Sequence, residues 1–263
     1  MQATWSLSPL PWESEFLQRN LWRLTVPAGT NEAAWTDGIL PGLQQLPDDA
    51  LVEAVVDASC IPLVRFLEDE GFRLCDSKFQ FLTRVQADEL PPAPATLPEG
   101  HSIRDYRESD LQAILNITEK ELVQNPMLVT KFKSPWFPSE TPSRWYSAWM
   151  KDVLHRGALC AVLENPAKAV VGYFAYIQGD DVDGLPMFKG VLTAIRPESR
   201  GGRVHLAMQD HLFRKAIQDP IFWLDNTTQI SNRPVYRNHV NSGRKPHSIY
   251  LIFLRGKSAI DED

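Results

Sequence analysis

The sequence is short of the features that would place it quickly. It has 3 cysteines in 263 residues. Cys60, Cys75 and Cys160 are scattered and flanked by apolar residues. They read as reduced core thiols rather than as a disulfide framework or a zinc site, and no metal centre is expected. No apolar run approaches the roughly 20 residues that a membrane-spanning helix needs, and no charged segment followed by an apolar one opens the chain. The expectation is a soluble, cytoplasmic protein that does not engage a membrane. Charge of one sign is also lacking: 27 basic against 33 acidic residues give a net charge of -6, which argues against nucleic acid as a partner. Neither G-x-x-x-x-G-K-S/T nor G-x-G-x-x-G occurs, so the common nucleotide-binding loops are excluded. Asp180, Asp181 and Asp183 sit in a Gly-flanked turn without further ligands at useful spacing and read as a solvated loop.

What is present centres on residues 191–213. Apolar alternation up to Ile195, ended by Pro197, predicts a strand. Val204, Met208 and Leu212 recur every fourth residue and predict a helix, with Arg203, Gln209, Arg214 and Lys215 left to face water or a ligand. Between them lies Arg200-Gly201-Gly202-Arg203. Two glycines permit a sharp turn and close approach to a bound group, and the helix start adds unpaired amides with partial positive charge. With two arginines able to fork onto phosphate oxygens, the turn suits a phosphate or pyrophosphate.

The rest of the chain predicts two α/β units. In the first, strands at 21–26, 51–56 and 78–82 accompany a helix at 62–70, spanning residues 1–88 in all. Prolines 91, 92, 94 and 98 mark a linker at 89–99. Residues 100–263 form the second unit, with a strand at 101–107 and a helix at 108–122. Lys131 to Pro138 breaks all periodicity and reads as a loop whose aromatic rings and lysines suit either a binding lip or a cover for the core. A helix at 144–154 follows, then a hairpin of 158–163 and 170–177. A strand at 221–224 leads into a polar stretch at 225–232. A helix from about Pro234 to Gly243 and a strand at 248–254 close the chain.

This order of elements resembles the GNAT superfamily of acyl-CoA-dependent N-acyltransferases. The turn resembles the Pro-x-x-Arg-Gly-x-Gly-x-Gly form of that superfamily's Gln/Arg-x-x-Gly-x-Gly/Ala motif through Pro197, Arg200 and Gly201, while Arg203 and His205 stand where glycines are usual. Over most of its length the chain is also similar to the bacterial sugar-nucleotide N-acyltransferases of the dTDP-fucosamine acetyltransferase type. That likeness rests on Trp12-Glu13-Ser14-x-Phe16, Gly71-Phe72-Arg73-Leu74 and Phe132-x-x-Pro135-Trp136-Phe137. Arg144-Trp145-Tyr146-x-x-Trp149, Thr228-Gln229-x-x-Asn232-x-Pro234 and Ser242-Gly243 extend it in the same order.

The resemblance implies a mixed, mostly antiparallel sheet flanked by helices, behind an N-terminal α/β half-domain on the acceptor side. It implies transfer of an acetyl or longer acyl group from acyl-CoA to the amine of a dTDP-linked deoxyamino sugar. Thr193, Ile195, Arg200, Gly201, Gly202, Arg203, Val204, His205 and Asn232 would hold the cosubstrate. His239 falls where the family usually places a tyrosine acid, and would donate a proton if it enters the reaction protonated, with Tyr236 in reserve. Trp12, Glu13, Ser14, Lys131, Phe132, Lys133, Trp136, Arg144 and Trp145 would face the nucleotide sugar. The closing strands could pair across a homodimer. Two other readings stay open: acylation of another small amine, and a non-catalytic ligand-binding protein on the same scaffold.

Overall fold

Apolar residues on alternate positions build the sheets, and the helices cover them. The computed structural model describes residues 5–27, 35–86, 97–201, 203–216 and 221–256, in two compact units. One comprises residues 1–79, 129–142 and 248–263, and the other residues 80–128 and 143–247. The division does not fall at the expected boundary. The greater part of the proposed linker, 89–96, lies outside the described residues, and the segments 129–142 and 248–256 join the first unit.

The first unit holds β1 (Ser6–Pro9), α1 (Pro11–Leu17), β2 (Leu21–Thr25), α2 (Leu40–Gln44), β3 (Leu51–Asp57) and α3 (Ile61–Asp69). It also takes the start of β4 (Arg73–Gln86) and the closing strand, which is β10 in chain order (Ser248–Arg255). Its strands run in the order β1-β2-β3-β10-β4. β2 and β3 are parallel, and β10 lies antiparallel to β3 with Phe253 opposite Ala54. Leu24, Val52, Ala54, Leu63, Leu67 and Phe253 form its core.

The second unit holds the remainder of β4, β5 (Ser102–Asp105), α4 (Leu111–Thr118), α5 (Thr141–His155, from Ser143 onward), β6 (Leu159–Glu164) and β7 (Val170–Gln178). β8 (Met187–Ile195), α6 (Val204–Ala216), β9 (Ile221–Gln229) and α7 (Arg233–Asn241) complete it. Its strand order is β4-β9-β8-β7-β6-β5, with β5 to β8 antiparallel in succession and β8 parallel to β9. Successive residues of β7 point to opposite faces. Tyr173 packs with Ile114, Ile117 and Met150 of α4 and α5, whereas Phe174 and Tyr176 pack with Val204, Met208 and Phe213 of α6. The expected stripe of α6 is buried as the periodicity requires, but Gln209, expected to face water or a ligand, is also buried. Two further expectations fail locally. The polar stretch after Leu224 continues as strand to Gln229, and the helix foreseen at 108–122 is a 3-10 turn, an α-helix and a terminal π-turn in series.

Candidate functional site

The central strands of the second unit part from one another. β8 pairs with β9 only through Met187, Lys189 and the residue between them, opposite Trp223 to Asp225. Beyond Lys189 that edge of β8 has no strand partner among the described residues. On its other edge β8 pairs with β7 as far as Ile195, with a register shift that leaves Val191 as an extra residue between the Tyr176–Gly190 and Ala175–Leu192 pairs. Such a bulge bends and twists its strand, which is the geometry needed to open one side of a ladder while keeping the other. The Arg196 amide donates to Val171 O at 2.8 Å. Alternation along an antiparallel strand then turns the amides of Ala194 and Leu192 towards β7, and those of Ile195 and Thr193 towards the open edge.

The turn after β8 continues this surface. Gly201 has φ +117°, and a Cβ there would meet no atom within 4 Å, so backbone conformation and not crowding requires glycine. Arg203 follows at φ +61°, and α6 begins at Val204, whose amide donates to Gly201 O. The amides of Gly201, Arg203 and His205 have no acceptor among the described residues. Together they make a donor-rich helix start. Here the turn opens on a cleft of about 800 Å³ lined by Thr193, Ile195, Arg203, His205, Asn232 and Asn238, among others.

The two arginines of the turn differ. Arg200 is anchored: its Nε donates to Ile195 O at 2.7 Å and its guanidinium pairs with the Glu121 carboxylate. Arg203 is exposed and has no partner among the described residues. Arg233, which also lines the cleft, is likewise exposed and without a side-chain partner among the described residues, so both supply uncompensated positive charge. Asn232 caps α7, accepting weakly from the Val235 amide at 3.5 Å, and brings a second helix start into the cleft wall. Thus Thr193, Ile195, Arg200, Gly201, Arg203, Val204, His205 and Asn232 all line one cleft. Gly202 lies outside the described residues. An open strand edge, free amides, unpaired arginines and a cleft of this size fit an anionic cosubstrate with an extended amide-bearing arm.

His239 departs from expectation in its charge. It is buried, and burial, with His205 and Arg244 adding to it, drives its pKa down to about 2. The ring is neutral near pH 7, so the partly protonated donor expected from the sequence is absent. His239 Nδ1 accepts from Arg244 Nη1 at 3.1 Å, and its ring stands edge-on to that of His205 at 5.6 Å. His205 is neutral for the same main reason: burial, followed by Arg244, lowers its pKa to about 3. Tyr236 lies one turn before His239, with its ring 5.8 Å from Phe81.

Most of the residues expected to meet the acceptor have partners within the protein. Trp12 stacks on Phe16 at 5.7 Å, and Glu13 is half-buried in the first turn of α1. Ser14 Oγ accepts from the Leu21 amide at 2.9 Å and so ties α1 to β2. Phe132 is buried against Phe137, and Trp136 is buried with its Nε1 donating to Gly256 O. Lys131 pairs with Glu53, while Lys133 is exposed. On α5, Arg144 is exposed and Trp145 buried. None of these lines the cleft described above. The rings of the 131–138 loop serve as core, which is the plainer of its two readings.

Sequence reasoning missed a buried polar group where β8 and β9 part. Tyr176 OH donates to Asn226 Oδ1 at 2.8 Å, and Asn226 lies so close over Gly190 that a Cβ there would come within 2.6 Å of Oδ1. The available signal was Gly190 itself, since glycine inside a strand marks a bulge or close approach.

No family model and no curated protein matches the chain. Its structure is similar to that of a GCN5-related N-acetyltransferase from Sphaerobacter thermophilus, with TM-score 0.59 and 17% identity over 96% of this chain and 78% of that one. A GCN5-related N-acetyltransferase from Kribbella flavida gives TM-score 0.57 and 12% identity over 92% and 84%. A tandem GNAT protein from the clavulanic acid biosynthesis pathway gives 0.55 and 15% over 90% and 76%. With its helix-flanked, mostly antiparallel sheet, the chain has the fold of the GCN5-related N-acetyltransferases.

Proposed function

We propose that this protein transfers an acyl group from acyl-CoA to a primary amine. The observation that carries the reading is the open edge of β8 meeting the free amides of the Gly201 to His205 turn in one cleft. Those amides and Arg203 hold the pyrophosphate, and the amide-bearing arm pairs with the β8 edge like an added strand. The outward amides of Thr193 and Ile195 donate to the thioester oxygen as charge develops on it. The amine attacks the carbonyl carbon directly, and the thiolate departs. Neutral His239 is a poor proton source for that thiolate, so the phenol of Tyr236 takes the acid role.

The finer reading is an acceptor amine on a nucleotide-linked, dTDP-type deoxyamino sugar. Its support is the sequence resemblance; the partners found for Ser14, Lys131 and Trp136 add nothing to it. Calorimetric titration with acetyl-CoA tests the common core of both readings. Saturable binding is expected. An absence of heat at millimolar cosubstrate would contradict it.

A further inference from the structure

Arg244, just beyond α7, is a half-buried cation without a counter-ion. Its Nη1 donates to His239 Nδ1 at 3.1 Å, and its positive charge opposes the burial that raises the pKa of Tyr176. It meets no carboxylate among the described residues. The hydrogen bonds around it run one way. Tyr176 donates to Asn226 Oδ1, which leaves Asn226 Nδ2 buried without a partner among the described residues. Because His239 Nδ1 accepts, the neutral ring carries its hydrogen on Nε2. His205 has no partner at either ring nitrogen, and Gln209, one turn along the same face of α6, has none at either amide atom. Asn226, His205 and Gln209 are each at most 6% exposed.

The inventory is therefore unbalanced. A guanidinium brings five donors, one of them is used on His239 Nδ1, and the surrounding groups are neutral and add donors of their own. Leaving such donors unanswered beside a half-buried charge is costly. An anion with several acceptor oxygens answers both, and a guanidinium forks onto carboxylate or phosphate in the required geometry. The position is informative as well. Asn226 lies over Gly190, the first β8 residue past its pairing with β9, and His205 belongs to the cleft wall. This is where the open strand edge begins.

We propose that Arg244, with Asn226 and His205, binds an anionic group of the acceptor, a carboxylate or a phosphate, and so selects amines that carry one. The proposal rests on the acyl-transfer reading, and it narrows the acceptor class.

The test compares matched amines with and without the anion by thiol release: an amino acid against its amide, an amino sugar against its phosphate ester. Wild type is expected to show a KM at least tenfold lower for the anionic member of a pair, and the pair that responds tells carboxylate from phosphate. Arg244→Gln should remove that preference while changing kcat/KM for the neutral member less than threefold, and Arg244→Lys should restore part of it. Equal KM values within both pairs in wild type would overturn the proposal, as would an Arg244→Gln loss shared equally by neutral and anionic amines. If no amine turns over, the acyl-transfer reading fails, and titration with inorganic phosphate and with acetate then decides the anion site separately. Performed in an Arg203→Ala background to silence the turn, the titration should weaken at least tenfold on adding Arg244→Gln. Equal affinity in the two folded variants would overturn the site.

Discussion

Replacing Gly190 by alanine tests how tightly the parting of β8 and β9 is built. The added Cβ would lie 2.6 Å from Asn226 Oδ1, about 0.8 Å inside the 3.4 Å of an ordinary contact. Tyr176 Cε1 stands 3.5 Å away and closes the other side. Asn226 is 4% exposed and is held by the Tyr176 hydroxyl, so it cannot swing into water without releasing that bond. Overpacking costs about 1 to 3 kcal/mol. Orphaning the buried Tyr176 hydroxyl adds about 1 to 3 kcal/mol. Lower entropy of the unfolded chain returns about 0.4 to 1 kcal/mol. The net loss is expected at about 2 to 4 kcal/mol in urea unfolding. Asn226→Ala alone also removes the hydrogen bond but leaves room for the new methyl group, so the double variant should be less unstable than the sum of the singles by at least about 1 kcal/mol. A single-variant loss below about 0.5 kcal/mol, or strict additivity, would refute the packing described here.

Further consequences follow from buried charge and from the turn. Burial of Asp76 raises its pKa from 3.8 to about 6, so the folded state holds a proton that the unfolded state has lost across that interval, and stability falls as pH rises from about 4 to 6. Asp76→Asn should be more stable than wild type at pH 7 by about 1 to 3 kcal/mol and indistinguishable from it near pH 3, as read by urea midpoints at the two pH values. Burial alone would raise the pKa of Glu53, but Lys131 and Arg23 together hold it below the ordinary carboxylate range. Glu53→Gln leaves both cations short of a counter-charge and should cost about 3 kcal/mol, the low end for a buried pair because Arg23 is 42% exposed; a change under 1 kcal/mol would contradict this. Arg203→Ala should raise the apparent KM for the thioester by about tenfold, as loss of one charge-assisted contact implies, and leave that for the acceptor nearly unchanged. Equal effects in steady-state kinetics would remove Arg203 from the cosubstrate cradle.

Features set by neighbours in the sequence were legible. The Val204, Met208 and Leu212 stripe, the stop at Pro197 and the turn at Gly201 are local, and together they located one wall of the cleft. β10 was legible as a strand from its β-branched and aromatic residues, but its partner β3 lies near the other end of the chain, and nothing in residues 248–254 names it. β9 was cut short because Asp225, Asn226 and Thr227 read as loop formers. Of the three only Asn226 is buried, turned towards the Tyr176 hydroxyl, while Asp225 is half-buried and Thr227 exposed. Burial was the other hidden quantity. It neutralises His239, turns Gln209 inward, and seats Phe132 and Trp136 in the core, and no residue's own chemistry announces it. The Tyr176–Asn226 and Arg244–His239 pairs were illegible for both reasons, being assembled from separate segments around a half-buried charge.

The most direct test of acyl transfer is free-thiol release from acetyl-CoA across a panel of amines, including dTDP- and UDP-linked amino sugars, with mass spectrometry of the products. Amine-dependent thiol release accompanied by an N-acetylated product is the expected result. No release with any amine, from a protein that binds acetyl-CoA, would contradict the transferase reading and leave a binding protein on this scaffold.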